Sequence, residues 1–183
     1  MHSGVLAMDR LGTDRLTELM SFSPYLIATA AAAVTSAVVG GIFYAFSTFV
    51  MSGLDRAQPV EAIAAMRGVN AEAQANVPFL VVFVGSAVLA LGAGVAAAFR
   101  LSQPGAGYVL AGAVLALVAF VVTMAFNVPL NDHLDAVDSS GLSAADATRE
   151  WRAYLGPWTA WNHVRTAAPL LGSVLMLVGL RGR

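Results

Sequence analysis

Four apolar stretches leave few folds open to this chain. They cover about residues 25–50, 77–99, 108–127 and 158–180; the first three carry no Asp, Glu, Arg or Lys, and the fourth carries only Arg165. At about 1.5 Å per helical residue, some 20 residues cross a hydrocarbon core of about 30 Å. Hydrocarbon offers no water to backbone N–H and C=O groups, so each stretch must close its own hydrogen bonds as a helix. Gly and Ala recur within them (Ala30 to Ala33, Gly40, Gly41, Gly92, Gly94, Gly112), and such small residues let helices approach closely in a membrane. The expected fold is an all-α integral membrane protein: a four-transmembrane-helix bundle with short amphipathic helices in its two long loops. Charged residues make up 11% of the chain, against roughly 25% in soluble domains.

The expected organisation is a polar N-terminal extension, residues 1–23, followed by one membrane domain, residues 24–183. The extension lacks the apolar run of a signal peptide. Two readings stay open for it: a short interfacial helix using Leu11, Leu16 and Leu19, or a start at Met8 or Met20. The turn at 100–107 holds Pro104 and Gly105 as breakers. In the loop 51–76, Pro59 marks a helix start, and Ile63, Met66, Val69 and Ala73 share a face. In the loop 131–157, Ser143 and Asp146 have capping-box spacing, predicting a short helix that ends near Tyr154. Four spans put both termini on one side with Arg10, Arg15, Arg100, Arg181 and Arg183, against Arg56, Arg67, Arg149 and Arg152 opposite. Arginine count sets orientation, so integral placement in a bacterial plasma membrane with both termini cytoplasmic is expected.

Several chemistries are excluded. There is no Cys and no Lys, hence no thiolate nucleophile, disulfide, Cys-ligated metal or lysine Schiff base. A net charge of −1 gives no footprint for nucleic acid.

The polar residues that remain converge. Threading brings Asn70, Glu72 and Asn76, then Asn127 and Asn131, then Trp158 to Arg165 to one end of the bundle. On a 100° wheel with Trp158 at zero, Asn162, Thr166, Thr159, His163 and Arg165 fall within about 160°, an arc expected to face inward because polar groups in lipid are costly. Each has an ordinary structural role beside a functional one. Asn127 and Asn131 are cap residues near Pro129 or ligand contacts. Asn162 is an interhelical hydrogen bond or a catalytic amide. His163 is a packed neutral imidazole or a general base. Arg165 snorkels to the interface or binds a partner, with Glu72, Asp132 or an anionic ligand as candidates. Trp158 and Trp161 are interface anchors or substrate contacts. His133 and His163 with Glu72 or Asp132 would suit a non-haem iron triad, although no spacing motif supports one.

Taken together, G-I-F-Y-A-F-S-T-F-V-M-S-G-L (Gly41 to Leu54), N-V-P-L-N-D-H-L (Asn127 to Leu134) and W-R-A-Y-L-G-P-W-T-A-W-N-H-V-R-T (Trp151 to Thr166) resemble the anthrone oxygenase family, over about Tyr25 to Leu180. Ser52-Gly53, where the family often has Pro, and the N-terminal extension depart from its pattern. The family's recurring polar residues fall on Asn70, Asn127, Asn131, Trp158, Asn162 and Arg165, with His163 beside them. The resemblance implies a membrane monooxygenase that oxidises a lipophilic aromatic, anthrone- or hydroquinone-like, with O2 and without a cofactor. Its expected catalytic residues are His163 as base with Arg165 and Asn162 on the oxyanion. Asn127, Asn131, Asn70, Asn76, Glu72 and Trp158 are the expected substrate contacts, and the expected partners are the substrate, O2, the lipid bilayer and, as a homo-oligomer, a second copy of the chain. Two other readings stand beside it: a non-catalytic membrane module binding a lipophilic ligand or partner protein, and a metal-dependent oxidoreductase using iron or copper.

Overall fold

The structure, a computed structural model, describes residues 23–138 and 141–182. The expectations for the N-terminal extension lie outside the described residues, apart from Ser23. That residue caps the first helix, its Oγ accepting from Leu26 N at 3.3 Å.

Helix α1 (Pro24–Ala45) runs through a π-helical segment, Phe46–Val50, into the short α2 (Met51–Leu54). Next come α3 (Pro59–Ala75), which lies outside the spans, and α4 (Val77–Ala98). Helix α5 (Ala106–Val122) passes through a second π segment, Thr123–Asn127, into α6 (Val128–Ala136). Last is α7 (Ala144–Arg181), with 38 residues. Among the described residues four helices are long and apolar enough to cross a membrane. This is a helical integral membrane protein.

Two boundaries differ from the sequence reading. The helix capped at Ser143 does not stop near Tyr154; it continues through Pro157 and Pro169 as the fourth span. Pro157 is tolerated because the turn it weakens is packed on both sides: Tyr154 and Trp158, flanking it, are both about 2% exposed. At 1.5 Å per residue, α7 is about 57 Å long and must project well beyond the bilayer. The third span likewise extends past Asn127 into α6.

That projecting half of α7 carries a cap. Ala147, Trp151, Tyr154 and Trp158 pack with Ile63 and Met66 of α3, Leu134 of α6 and Met51. Helix α3 buries Ala62, Ile63, Met66 and Asn70, a face one step round from the predicted one, with Val69 37% exposed. Arg67 ties α3 to the end of α6 by donating from Nε and Nη2 to Leu134 O at 2.9 and 2.7 Å.

The opposite half of the bundle is packed by small residues: Ala32 and Ala33, Ala90, Ala93 and Ala97, and Ala116, with Val109 and Met176. Helices α5 and α7 touch there at backbone distance. A Cβ on Gly112 would meet Gly172 O at 2.5 Å, and one on Gly172 would meet Gly112 O at 2.5 Å and Ala116 N at 3.0 Å. Gly105, at φ +80°, turns the chain into α5 against Gly179. Arg100 lies 4.9 Å from the Tyr25 ring centroid, so the 100–107 turn and the described ends of the chain share one end of the bundle.

Candidate functional site

At the other end, between the span region and the cap, lies a cavity of about 870 Å³. Pockets for small molecules typically measure about 300–1,000 Å³. Ile42, Phe43 and Phe46 of the first helix, Phe79, Leu80 and Phe83 of α4, and Met124 and Val128 give it mostly apolar walls. Phe79 and Phe83 stack with centroids 5.8 Å apart and planes 8° apart. Phe83 continues the stack to Phe120 at 5.5 Å and meets Phe43 edge-on at 6.1 Å. Polar groups enter from three elements: Asn70, Glu72 and Gln74 from α3, Asn131 and Asp132 from α6, and Arg165 from α7.

Arg165 is 5% exposed. Its guanidinium lies between two rings, 4.1 Å from the Phe43 centroid and 4.7 Å from that of Trp158. Nε donates to Asn162 Oδ1 at 2.8 Å and Nη1 to Thr123 Oγ1 at 3.3 Å. No Asp or Glu among the described residues pairs with it; ion pairs such as His133 with Glu150, and Arg149 with Asp146 and Glu150, lie elsewhere. The expected partners Glu72 and Asp132 are not within pairing distance. An Arg at the centre of a span costs about 2.5–3.5 kcal/mol on insertion scales, and a desolvated cation–π contact returns up to about 2 kcal/mol. The rings and two neutral oxygens can therefore hold the side chain in place, but none of them cancels its charge.

Asn162, fully buried, fixes that guanidinium. Arginine only donates, so the amide must turn Oδ1 to Nε, which leaves Nδ2 to find acceptors. They are Phe43 O at 2.8 Å and Ser47 Oγ at 2.7 Å. Thr166 Oγ1 donates to Asn162 O at 2.7 Å, so the 3.1 Å contact between Ser47 and Thr166 must use the Ser47 proton. The side-chain protons of Asn162, Ser47 and Thr166 are thereby all assigned.

The two π segments build this level. Pro129 has no N–H to return to Ala125 O, and the ladder there widens to Val128 N–Thr123 O. The extra residue turns Asn127 inward, where Nδ2 donates to Trp158 O at 3.2 Å. The first π segment carries Ser47, which meets Asn162 and Thr166. Asn131 Oδ1 accepts from both Tyr154 Oη at 2.9 Å and Trp158 Nε1 at 2.8 Å.

Several expected site residues thus come together and others do not. Asn70, Glu72, Asn76, Asn131, Trp158 and Arg165 line the cavity, and Asn162 stands behind Arg165. Asn70 is 5% exposed, and its Nδ2 has no acceptor among the described residues. Asn76 caps α4, accepting from Phe79 N at 2.9 Å and donating to Glu72 Oε1 at 3.4 Å. Asn127 is buried behind the wall rather than in it, and Trp158, 2% exposed, is no interface anchor. Trp161 instead stacks on Phe126 at 3.7 Å.

The clearest correction concerns His163. It is exposed on the outer side of α7 and lines a separate groove of about 390 Å³ with Ser47, Asp55 and Thr159. The inward arc at this level spans only about 100°, from Arg165 to Thr166, the ordinary width of a buried helix stripe, and His163 lies outside it. Helix α6 likewise turns His133 away, to within 3.7 Å of Glu150 on α7. The anticipated triad of His133 and His163 with a carboxylate does not assemble, and no group of three or more His, Asp or Glu among the described residues is placed to share a metal. Reasoning from sequence missed Phe43, Ser47, Thr123 and Tyr154. A hydroxyl in a lipid-crossing helix needs a partner, which was the available signal for Ser47 and Thr123.

A family model described as anthrone oxygenase matches residues 78–175, from the start of α4 to the last turns of α7. No curated protein and no solved structure matches the chain.

Proposed function

This chain belongs to the anthrone oxygenase family, and from that premise we propose that it is a membrane-embedded oxygenase acting on a lipophilic aromatic that ionises at carbon, as anthrone does. The observation that carries the reading is the buried, unpaired Arg165 guanidinium in the wall of an aromatic-lined cavity. A cation held without a counter-ion in apolar surroundings favours a ligand that develops negative charge on oxygen.

The chemistry asked of the site is modest. A base removes a methylene proton, and the electron pair moves into the ring system onto the carbonyl oxygen, beside Arg165. The resulting anion delivers its electrons to O2 and forms a C–O bond at the former methylene carbon. Protonation gives a hydroperoxide, and loss of water leaves a second carbonyl. One oxygen atom enters the product, the other leaves as water, and the substrate supplies all the electrons, so no cofactor is needed. Phe79 and Phe83 suit a flat ring, and apolar walls limit the water that would quench the anion.

The test is O2 uptake with anthrone by the full chain in detergent or liposomes. Arg165→Gln should reduce kcat/KM by about 10²–10³-fold, the usual loss on removing one oxyanion donor. Arg165→Lys should fall between, keeping charge but losing the flat stack between Phe43 and Trp158. Uptake unchanged in a folded Arg165→Gln protein would contradict the proposal, and ligand binding without uptake by the wild type would favour a binding module.

A further inference from the structure

The reading above needs a base, and the histidine expected for it is outside the cavity. The structure assigns the task elsewhere: we infer that Glu72 and Asp132, the carboxylates lining the cavity from α3 and α6, accept the substrate's proton and pass it to water. This assignment rests on the proposed function and adds to it the proton's destination.

The cavity's inventory drives the choice. Of the residues lining it, Arg165 only donates, and the amides of Asn70, Gln74, Asn76 and Asn131 neither accept nor release protons near neutral pH. Glu72 and Asp132 are its remaining titratable groups. Both are exposed, whereas Arg165 and Asn70 are each 5% exposed. The cavity is therefore polarised. Its buried end holds a guanidinium and an amide Nδ2 that has no acceptor among the described residues, and its exposed rim holds the anions. Asp132 makes no hydrogen bond or ion pair among the described residues, so its oxygens are free to receive a proton; Glu72 shares one oxygen with Asn76 Nδ2 at 3.4 Å. Neither carboxylate pairs with Arg165, so both opposed functions survive in one pocket.

A substrate lying between the two ends would place its oxygen on Arg165 and Asn70 and its acidic C–H toward the rim. The C–H bond breaks, the proton goes to a carboxylate oxygen, and the electron pair goes to the oxygen at the buried end. No O2 is consumed in this step, so it can be observed alone. The rim is open to water, through which the carboxylic acid loses the proton again.

The experiment is anaerobic exchange of anthrone's methylene hydrogens in D2O, followed by mass spectrometry, with the protein-free rate subtracted. The wild-type chain should accelerate exchange, and the Glu72→Gln/Asp132→Asn double variant should lose about 10²-fold or more of that acceleration, as expected for general base removal. A folded double variant exchanging at the wild-type rate would overturn the assignment. Admitting air afterwards separates the two claims. Exchange without O2 uptake removes the oxygenase reading and leaves the proton acceptors standing, while uptake and exchange that survive in the double variant remove only the acceptors.

Discussion

Asn162 matters to the cavity through the direction of its amide. Because its Oδ1 is bound to Arg165 Nε at 2.8 Å, the residue aims the guanidinium while leaving its charge intact. Asn162→Asp would put a formal negative charge at that contact. We expect it to give Arg165 the ion-pair partner it lacks and to reduce kcat/KM with anthrone by at least about tenfold, because the substrate anion must then compete with a built-in one. Asn162→Ala should instead lower stability, by about 1–3 kcal/mol, since Phe43 O and Arg165 Nε each lose a buried partner. Thermal melts alongside O2 uptake distinguish the two, and an Asn162→Asp chain with wild-type activity would refute the need for an unneutralised guanidinium. Arg165 and Asn162 were legible in the sequence because polar residues inside an apolar span must face protein. His163 was misread because the inward stripe was drawn too wide, and no periodicity within one helix shows which edge of a stripe its neighbours cover.

At the scale of elements, function and packing occupy different ends of the same helices. The cavity end is opened by two π segments, which place Ser47 and Asn127 against α7. The far end is closed by glycine contacts between α5 and α7. Gly172→Ala should push these helices apart, since the new Cβ meets Gly112 O at 2.5 Å; overpacking of this kind costs about 1–3 kcal/mol. For a chain of this size that lowers Tm by roughly 2–12 °C. Gly92→Ala, with nothing within 4 Å of its Cβ, is the control and should melt with the wild type. The span count was legible because lipid forces every crossing segment to be a long apolar helix. The continuity of α7 through Pro157 was not, because a proline reads locally as a stop, and only the burial of Trp151, Tyr154 and Trp158 in the cap shows why the helix survives it.

At the scale of the whole molecule, two opposing fields meet in one cavity. The apolar bundle disfavours any bound anion by removing its water, and Arg165 favours it. Whether the guanidinium wins is the central claim, and it can be measured without turnover. A coloured hydroxyanthraquinone, flat and ionisable at oxygen, would report its own protonation when bound to the full chain in detergent. The account predicts that binding lowers the ligand's apparent pKa by about one unit or more, equivalent to about 1.4 kcal/mol per unit, and that Arg165→Gln abolishes the shift or reverses its sign. A bound pKa that stays at its solution value or rises in the wild-type chain would contradict the account.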